Sequence, residues 1–268
     1  MTSSNSAPLA VVTGASSGIG FELARVFTRN GFDLLVVAGS DKIHDAASLL
    51  SGEGRSVEAV QVDLSKPEGV EELYDQIRGT GRPVEAIAIN AGIGISGDFV
   101  RDTTLEDNLA VIDLNVRSSV HLAKKVLPDM VARGKGRVLF TSSIAATMPG
   151  PFDAVYNASK AFLQSFSQAI RNELQDTGVT VTALMPGATE TNFFRRAGME
   201  DTKVGASDDK DDAAEVAKEG FDAMMAGKDH VVAGSLMNTV QATMAHVLPD
   251  TTTAGIHRKQ AEPGSANN

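Results

Sequence analysis

The chain has 268 residues, 42% hydrophobic and 22% charged, enough apolar sequence to fill one large core in an undivided domain. A net charge of −10 excludes a basic nucleic-acid surface, and the absence of cysteine excludes disulfides, thiolate metal sites and cysteine nucleophiles together. The five histidines (His44, His121, His230, His246, His257) form no i,i+4 pair, Met1 to Pro8 lacks the features of a secretory signal, and no apolar run reaches the roughly 18–20 residues of a span; no metal, no membrane segment and a cytoplasmic location are expected.

In chain order, the pattern predicts a strand at 9–12, a helix at 18–30, a strand at 34–37, a helix at 41–51, a strand at 57–62 and a helix at 67–80. It continues with a strand at 84–89, a long helix at 105–133, a strand at 138–141, a helix at 154–176, a strand at 179–185, a helix at 211–226 and a strand at 231–233. Short, continuous apolar runs are strands covered on both faces. The expected fold is therefore a single-domain α/β structure over 1–248, a doubly wound parallel sheet of about seven strands flanked by helices. Right-handed crossovers bring ligands to the carboxyl ends of such strands. The polar segment 197–212 reads as a solvated loop entering a helix at its acidic end, and 193–212 as a mobile lid over the site. Residues 249–268, rich in Thr, Ala, Gly and Asn, read as a flexible tail.

The first strand runs into Thr13-Gly14-Ala15-Ser16-Ser17-Gly18-Ile19-Gly20, and a helix follows. Glycines let the backbone turn tightly against a pyrophosphate, and a helix N-terminus offers free N–H groups and a positive dipole end. The same stretch matches G-x-S-x-G, the nucleophile elbow of serine hydrolases, with Ser16 as nucleophile. An elbow on the first strand has no earlier strand or loop from which to build an oxyanion hole, and it leaves Gly20 unexplained. The dinucleotide reading ranks first and the hydrolase second.

Tyr156-Asn157-Ala158-Ser159-Lys160 puts a phenol and an ammonium four residues apart, on one helix face with Cβ atoms about 5–6 Å apart. A phenol titrates near 10, and lowering it by two units takes roughly 2.7 kcal/mol, within reach of one close charge. Tyr74 and Arg78 share this spacing mid-helix, away from any strand end, and read as a surface contact. Ser143 stands just past the strand at 138–141, beside Ser142, whose hydroxyl is expected to satisfy the strand end. Asn115 is an amide in an apolar stretch of the long helix and needs a partner if buried.

The glycine spacing T-G-x-x-x-G-x-G is similar to that of the short-chain dehydrogenase/reductase family, and the resemblance runs from about residue 9 to 233. It implies a Rossmann fold and a nicotinamide cofactor, held by Gly14, Ser16, Ser17, Gly18, Ile19 and Gly20. Asp63 and Leu64 then match the adenine contact, Asn90-Ala91-Gly92 the cofactor-lining N-A-G stretch, and Pro186-Gly187 with Thr191 the segment that holds the nicotinamide amide. Ser143, 13 residues before Tyr156, has the spacing of the family's catalytic serine, which hydrogen-bonds the substrate oxygen. Tyr156 would exchange that oxygen's proton, Lys160 would lower the tyrosine pKa and contact the ribose, and Asn115 would anchor a proton-relay water.

Coenzyme choice lies just after the second strand, where Ala38 occupies the position at which an acid would favour NAD. Ser40 and Lys42 offer a hydrogen bond and a charge to a 2′-phosphate, Asp41 a ribose contact or a helix cap, and no arginine stands at Gly39 or Ser17. NADP is preferred over NAD. Ile93, Gly94, Ala145, Phe152, Phe193 and Phe194 are expected around a partly apolar alcohol or carbonyl substrate, with Arg195 and Arg196 nearby. The resemblance implies a homodimer or homotetramer through the helices at 105–133 and 154–176. A non-catalytic nucleotide sensor would keep the fold but not the four polar residues.

Overall fold

The apolar runs become seven strands: β1 (Leu9–Thr13), β2 (Asp33–Ala38), β3 (Val57–Gln61), β4 (Val84–Ile89), β5 (Gly136–Thr141), β6 (Val179–Pro186) and β7 (His230–Ala233). The computed structural model describes residues 7–245 and 247–267; the reading of the first six residues and His246 lie outside the described residues. The strands form one parallel sheet in the order β3-β2-β1-β4-β5-β6-β7. The chain reverses its direction of winding between β1 and β4, which opens a crevice at the carboxyl ends there.

The helices are α1 (Gly18–Arg29), α2 (Lys42–Ser51), α3 (Pro67–Gly79), α4 (Leu105–Val111), α5 (Ser118–Arg133), α6 (Ala154–Glu173), the short α7 (Phe193–Arg196) and α8 (Lys203–Ala206), α9 (Ala213–Met225), α10 (Leu236–Ala245) and α11 (Asp250–Ala261). Side chains alternate across each strand, so one sheet builds two cores. Leu9 and Val11 of β1 meet Leu73 of α3, Val126 of α5 and Leu163 of α6 on one face. Ala10 and Val12 meet Phe27 of α1, Leu50 of α2 and Phe221 of α9 on the other. Phe27 is fully buried and stands edge-on to Phe32 and Phe221, with ring centroids 5.2 and 5.0 Å away.

Three expectations change. The runs at β3 and β7 are not covered on both faces, because both strands lie at sheet edges and expose Glu58, Gln61 and His230. The helix expected at 105–133 is broken by a π-helical turn over Ile112–Arg117, between α4 and α5. The tail expected to be flexible contains α11, whose Thr253 and Ala261 are buried. Within the segment 197–212, α8 packs against α11, and Asp212 caps α9 by accepting from the Ala214 and Glu215 amides at 2.6 and 3.2 Å. Among the described residues no helix is long and apolar enough to cross a membrane.

Candidate active site

A cavity of about 1030 Å³ runs along the carboxyl ends of β1 to β6. Its floor begins at the glycine turn. Gly14 has φ +69°, and a Cβ there would come within 2.9 Å of the Ala91 Cα, so only glycine fits. Buried Thr13 ties this turn to the next strand end: its hydroxyl accepts from the Asn90 and Ala91 amides at 2.9 and 3.0 Å. Ser17 occupies the N-cap position of α1 but makes no capping bond, and the first turn carries no acid. Its open N–H groups therefore suit an anion, as a bound pyrophosphate would require. Gly14, Ser16, Ser17 and Ile19 line the cavity, whereas Gly18 and Gly20 lie behind it and shape the turn.

The line continues along Ala38, Gly39, Ser40, Asp63 and Leu64 at one end. It passes Asn90, Ala91 and Gly92 in the middle and reaches Pro186, Gly187 and Thr191 at the other end. Residues from six adjacent strand ends, β3 to β6, thus share one trough, roughly 24 Å across at the usual strand spacing, long enough for an extended dinucleotide. Hydrogen bonds from the Ser65 hydroxyl, 2.6 Å, and amide, 3.0 Å, hold the Asp63 carboxyl below the usual carboxylate range. Lys42 does not line the cavity, and Asp41 stands at the α2 N-cap without a side-chain bond.

Ser143, Tyr156 and Lys160 face the same cavity. Ser143, at the end of β5, accepts from the Ala145 amide at 3.1 Å and donates to the Pro186 carbonyl at 3.3 Å. Lys160 is buried in α6, where its Nζ donates to the Thr141 carbonyl at 2.8 Å; burial pulls the ammonium down to about 8. Burial also pushes the Tyr156 phenol above its ordinary value, with the Ser143 hydroxyl working against that shift. The Asp153 carboxylate pushes in the same direction as burial. The Lys160 ammonium sits 5.7 Å from the centre of the phenol ring.

Asn115 lies behind the cavity, fully buried in the π-helical turn. Its Oδ1 accepts from the Ile93 amide at 2.9 Å, and its Nδ2 donates to the Ile93 carbonyl at 2.9 Å and to Ser159 Oγ at 3.0 Å. Ser159 in turn donates to the Tyr156 carbonyl at 2.7 Å, so one amide joins the loop after β4 to the helix that carries the tyrosine. A π-helical turn is a common way to re-aim a functional side chain. A Cβ at Gly92 would meet Asn115 Oδ1 at 3.1 Å and Lys160 Nζ at 3.3 Å. Ser142 does more than satisfy its strand end: it donates to the Lys160 carbonyl at 2.9 Å and pins α6 to β5.

Of the residues expected around the substrate, Ile93, Ala145, Phe193, Phe194 and Arg196 line the cavity. The Phe193 ring lies tilted at 47° against the Tyr156 ring, with centroids 5.1 Å apart. Gly94, Phe152 and Arg195 do not line it, and Arg195 instead donates to Asn192 at 3.2 Å. Sequence reasoning missed Thr13, Ser159, Asp153, Asn157 and the whole wall supplied by α10 and α11, including Met237, Met244 and His257. For α11 a signal existed: Pro249 before Asp250 is a helix-start pattern. Ser16 has no hydrogen bond to a histidine among the described residues, as a hydrolase nucleophile would need.

Residues 8–202 match the family model for short chain dehydrogenase. The short-chain type dehydrogenase/reductase y4eK of Sinorhizobium fredii is 35% identical over 208 residues, which cover 76% of this chain and 79% of that one. The NADP-dependent 3-hydroxy acid dehydrogenase YdfG of Salmonella typhi is 31% identical over 201 residues, 74% of this chain and 79% of that protein. Among solved structures, a short-chain dehydrogenase from Sphingobium yanoikuyae in complex with NADPH superposes with a TM-score of 0.78 at 31% identity, over 84% of this chain and 87% of that one. Likeness of this extent, over the segment that carries both the glycine turn and Tyr156, sets the hydrolase reading aside and makes the protein a member of the short-chain dehydrogenase/reductase family, an NAD(P)-dependent oxidoreductase acting on alcohol or carbonyl groups.

Proposed function

We propose that the protein transfers a hydride between NADP and a partly apolar ketone or secondary alcohol, with Tyr156 as general acid/base. The observation that carries this reading is that Ser143, Tyr156 and Lys160 open onto the same cavity as the uncapped start of α1. The cofactor supplies the hydride. The α1 amides and the Gly14 turn would hold its pyrophosphate, Asp63 and Leu64 its adenine, and Thr191 with Pro186 and Gly187 its amide. Ser143 Oγ holds the substrate oxygen, and Tyr156, kept protonated by burial, gives that oxygen a proton as a carbonyl is reduced. Lys160 would contact the cofactor's ribose, and Asn115 fixes the helix from which both residues project.

The preference for NADP rests on Ala38 and Ser40 at the cavity wall, and the NADP-dependent relative and NADPH-bound neighbour support it. We place the protein in the cytoplasm and expect a homodimer or homotetramer. Phe99, Leu105, Leu109, Ile112 and Phe162 leave 40% or more of their surface exposed around α4, the π-helical turn and α6, a patch suited to association.

Fluorescence titration with NADPH and NADH tests the cofactor site. Saturable binding is expected, with NADPH at least fivefold tighter, and no binding of either by folded protein would remove the reading. In Ala38→Asp the carboxylate should repel a 2′-phosphate and accept from the ribose hydroxyls, reversing the ratio of dissociation constants in favour of NADH. An unchanged ratio would move coenzyme selection away from this position.

A further inference from the structure

Beside Tyr156 the apolar cavity has a polar wall apart from the residues assigned to the cofactor. Asp153 precedes α6 and Asn157 lies one turn further on; both are buried and both line the cavity. His257 of α11 faces them, with Nε2 3.8 Å from Asp153 Oδ2 and side chains only 14% and 6% exposed. This distance is too long for a hydrogen bond. Among the described residues, Asn157 Oδ1 and His257 Nδ1 are buried without a well-formed hydrogen bond, the imidazole lying against the Pro151 carbonyl. Both atoms are shut off from the cavity, so what this wall leaves for a ligand is the Asp153 carboxyl and His257 Nε2, which line it without a hydrogen bond to each other.

The backbone that carries Asp153 is held from two sides. Phe152, just before Asp153, has φ +69°, a conformation that a bulky residue adopts only under constraint. Its carbonyl accepts from the Gly97 amide at 2.8 Å, and its ring lies 4.9 Å from the Arg258 guanidinium of α11. Helix α11 thus clamps the segment that carries Asp153, while Arg258 itself pairs outward with Glu262 at 2.8 Å and leaves the pocket wall to His257 and Asp153.

We propose that Asp153 and His257 form a second polar subsite that binds an uncharged oxygen of the substrate, so that the preferred substrate is an apolar molecule with a hydroxyl or keto group beside the reacting one. While the facing acid and base share one proton, they sum to no net charge, whichever of the two holds it. A carboxylate would meet Asp153 and an ammonium would meet His257, whereas a hydroxyl can donate to one and accept from the other. Burial acts on both members in the same sense, raising the Asp153 carboxyl to about 7 and lowering His257, which narrows the gap between the two arrangements. The inference rests on the dehydrogenase reading of the cleft, since the second oxygen is placed relative to Tyr156.

The test is calorimetric binding of hydrobenzoin, an apolar diol, and of its deoxy analogue lacking one hydroxyl, to the NADPH-loaded protein, where alcohols cannot react. Hydrobenzoin should bind at least tenfold more tightly, about 1.4 kcal/mol for the extra hydrogen-bonded group. His257→Leu and Asp153→Asn should each bring the ratio to within about twofold. A ratio near one in the unmodified protein, a ratio that survives both substitutions, or no binding of either alcohol overturns the subsite. Failure of NADPH to bind in the preceding loading step would instead mark failure of the dinucleotide site, and the two failures are read separately.

Discussion

Tyr156→Phe is expected to lower kcat at least a hundredfold while the dissociation constant for NADPH changes less than threefold. Removing one oxygen takes away the only phenol on this wall of the cavity, and a positioned general acid is commonly worth about 10²–10⁴ in rate. The ring itself remains, and with it the packing against Phe193 at 5.1 Å, so the trough keeps its shape. Stopped-flow reduction of a panel of ketones, together with the fluorescence titration, separates the two effects. Turnover within threefold of the unmodified protein would transfer the proton to another group. Ser143 is the other hydroxyl at the spot, and its bonds to Ala145 and Pro186 make it the better holder of an oxygen than a source of protons.

Lys160→Met should lose activity and coenzyme affinity together, with kcat reduced at least a hundredfold and the NADPH dissociation constant raised about tenfold, yet yield a more stable protein near neutral pH. The ammonium is buried with one recorded hydrogen bond, to the Thr141 carbonyl, and methionine fills nearly the same volume without a charge to desolvate. The sign of the pH dependence follows from the lowered pKa. Between about 8, the folded value, and the ordinary 10.5, the unfolded chain holds the proton that the folded chain has released. Stability of the unmodified protein should therefore rise with pH across that interval, and the penalty is fully present below it. The methionine variant lacks that contribution, so its melting temperature should exceed that of the unmodified protein most clearly at pH 7, with the gap closing towards pH 10. A lower melting temperature for the variant at pH 7 would mean that the ammonium stabilises the fold, and affinity for NADPH left unchanged would remove Lys160 from the ribose.

The strands were legible because a parallel sheet imposes a blunt requirement on its sequence. Strands such as β1, β2 and β4, covered on both faces, must be almost wholly apolar, and they occur at the expected positions within a residue or two. The glycine turn was legible for a similar reason, since Gly14 must accept φ +69° against the Ala91 backbone. The Tyr156–Lys160 pair stood out through Ser143 just past the preceding strand, since Tyr74 and Arg78 share its helical spacing.

The π-helical turn left no local trace: Leu114-Asn115-Val116 continues the helical pattern, and only the distant partners Ile93 and Ser159 show why the amide is turned inward. Helix α11 was missed because its buried stripe is Thr253, His257 and Ala261, which repeat every four residues but carry no aliphatic signal. The sequence by itself determined the sheet, the glycine turn and the tyrosine–lysine face, because each is set by short-range periodicity or by one backbone conformation. Only the tertiary structure decided that burial would raise the tyrosine and lower the lysine, and that a carboxy-terminal histidine would stand 3.8 Å from Asp153, more than a hundred residues away along the chain. Those outcomes depend on which surfaces exclude water together, and neighbours in sequence do not record that.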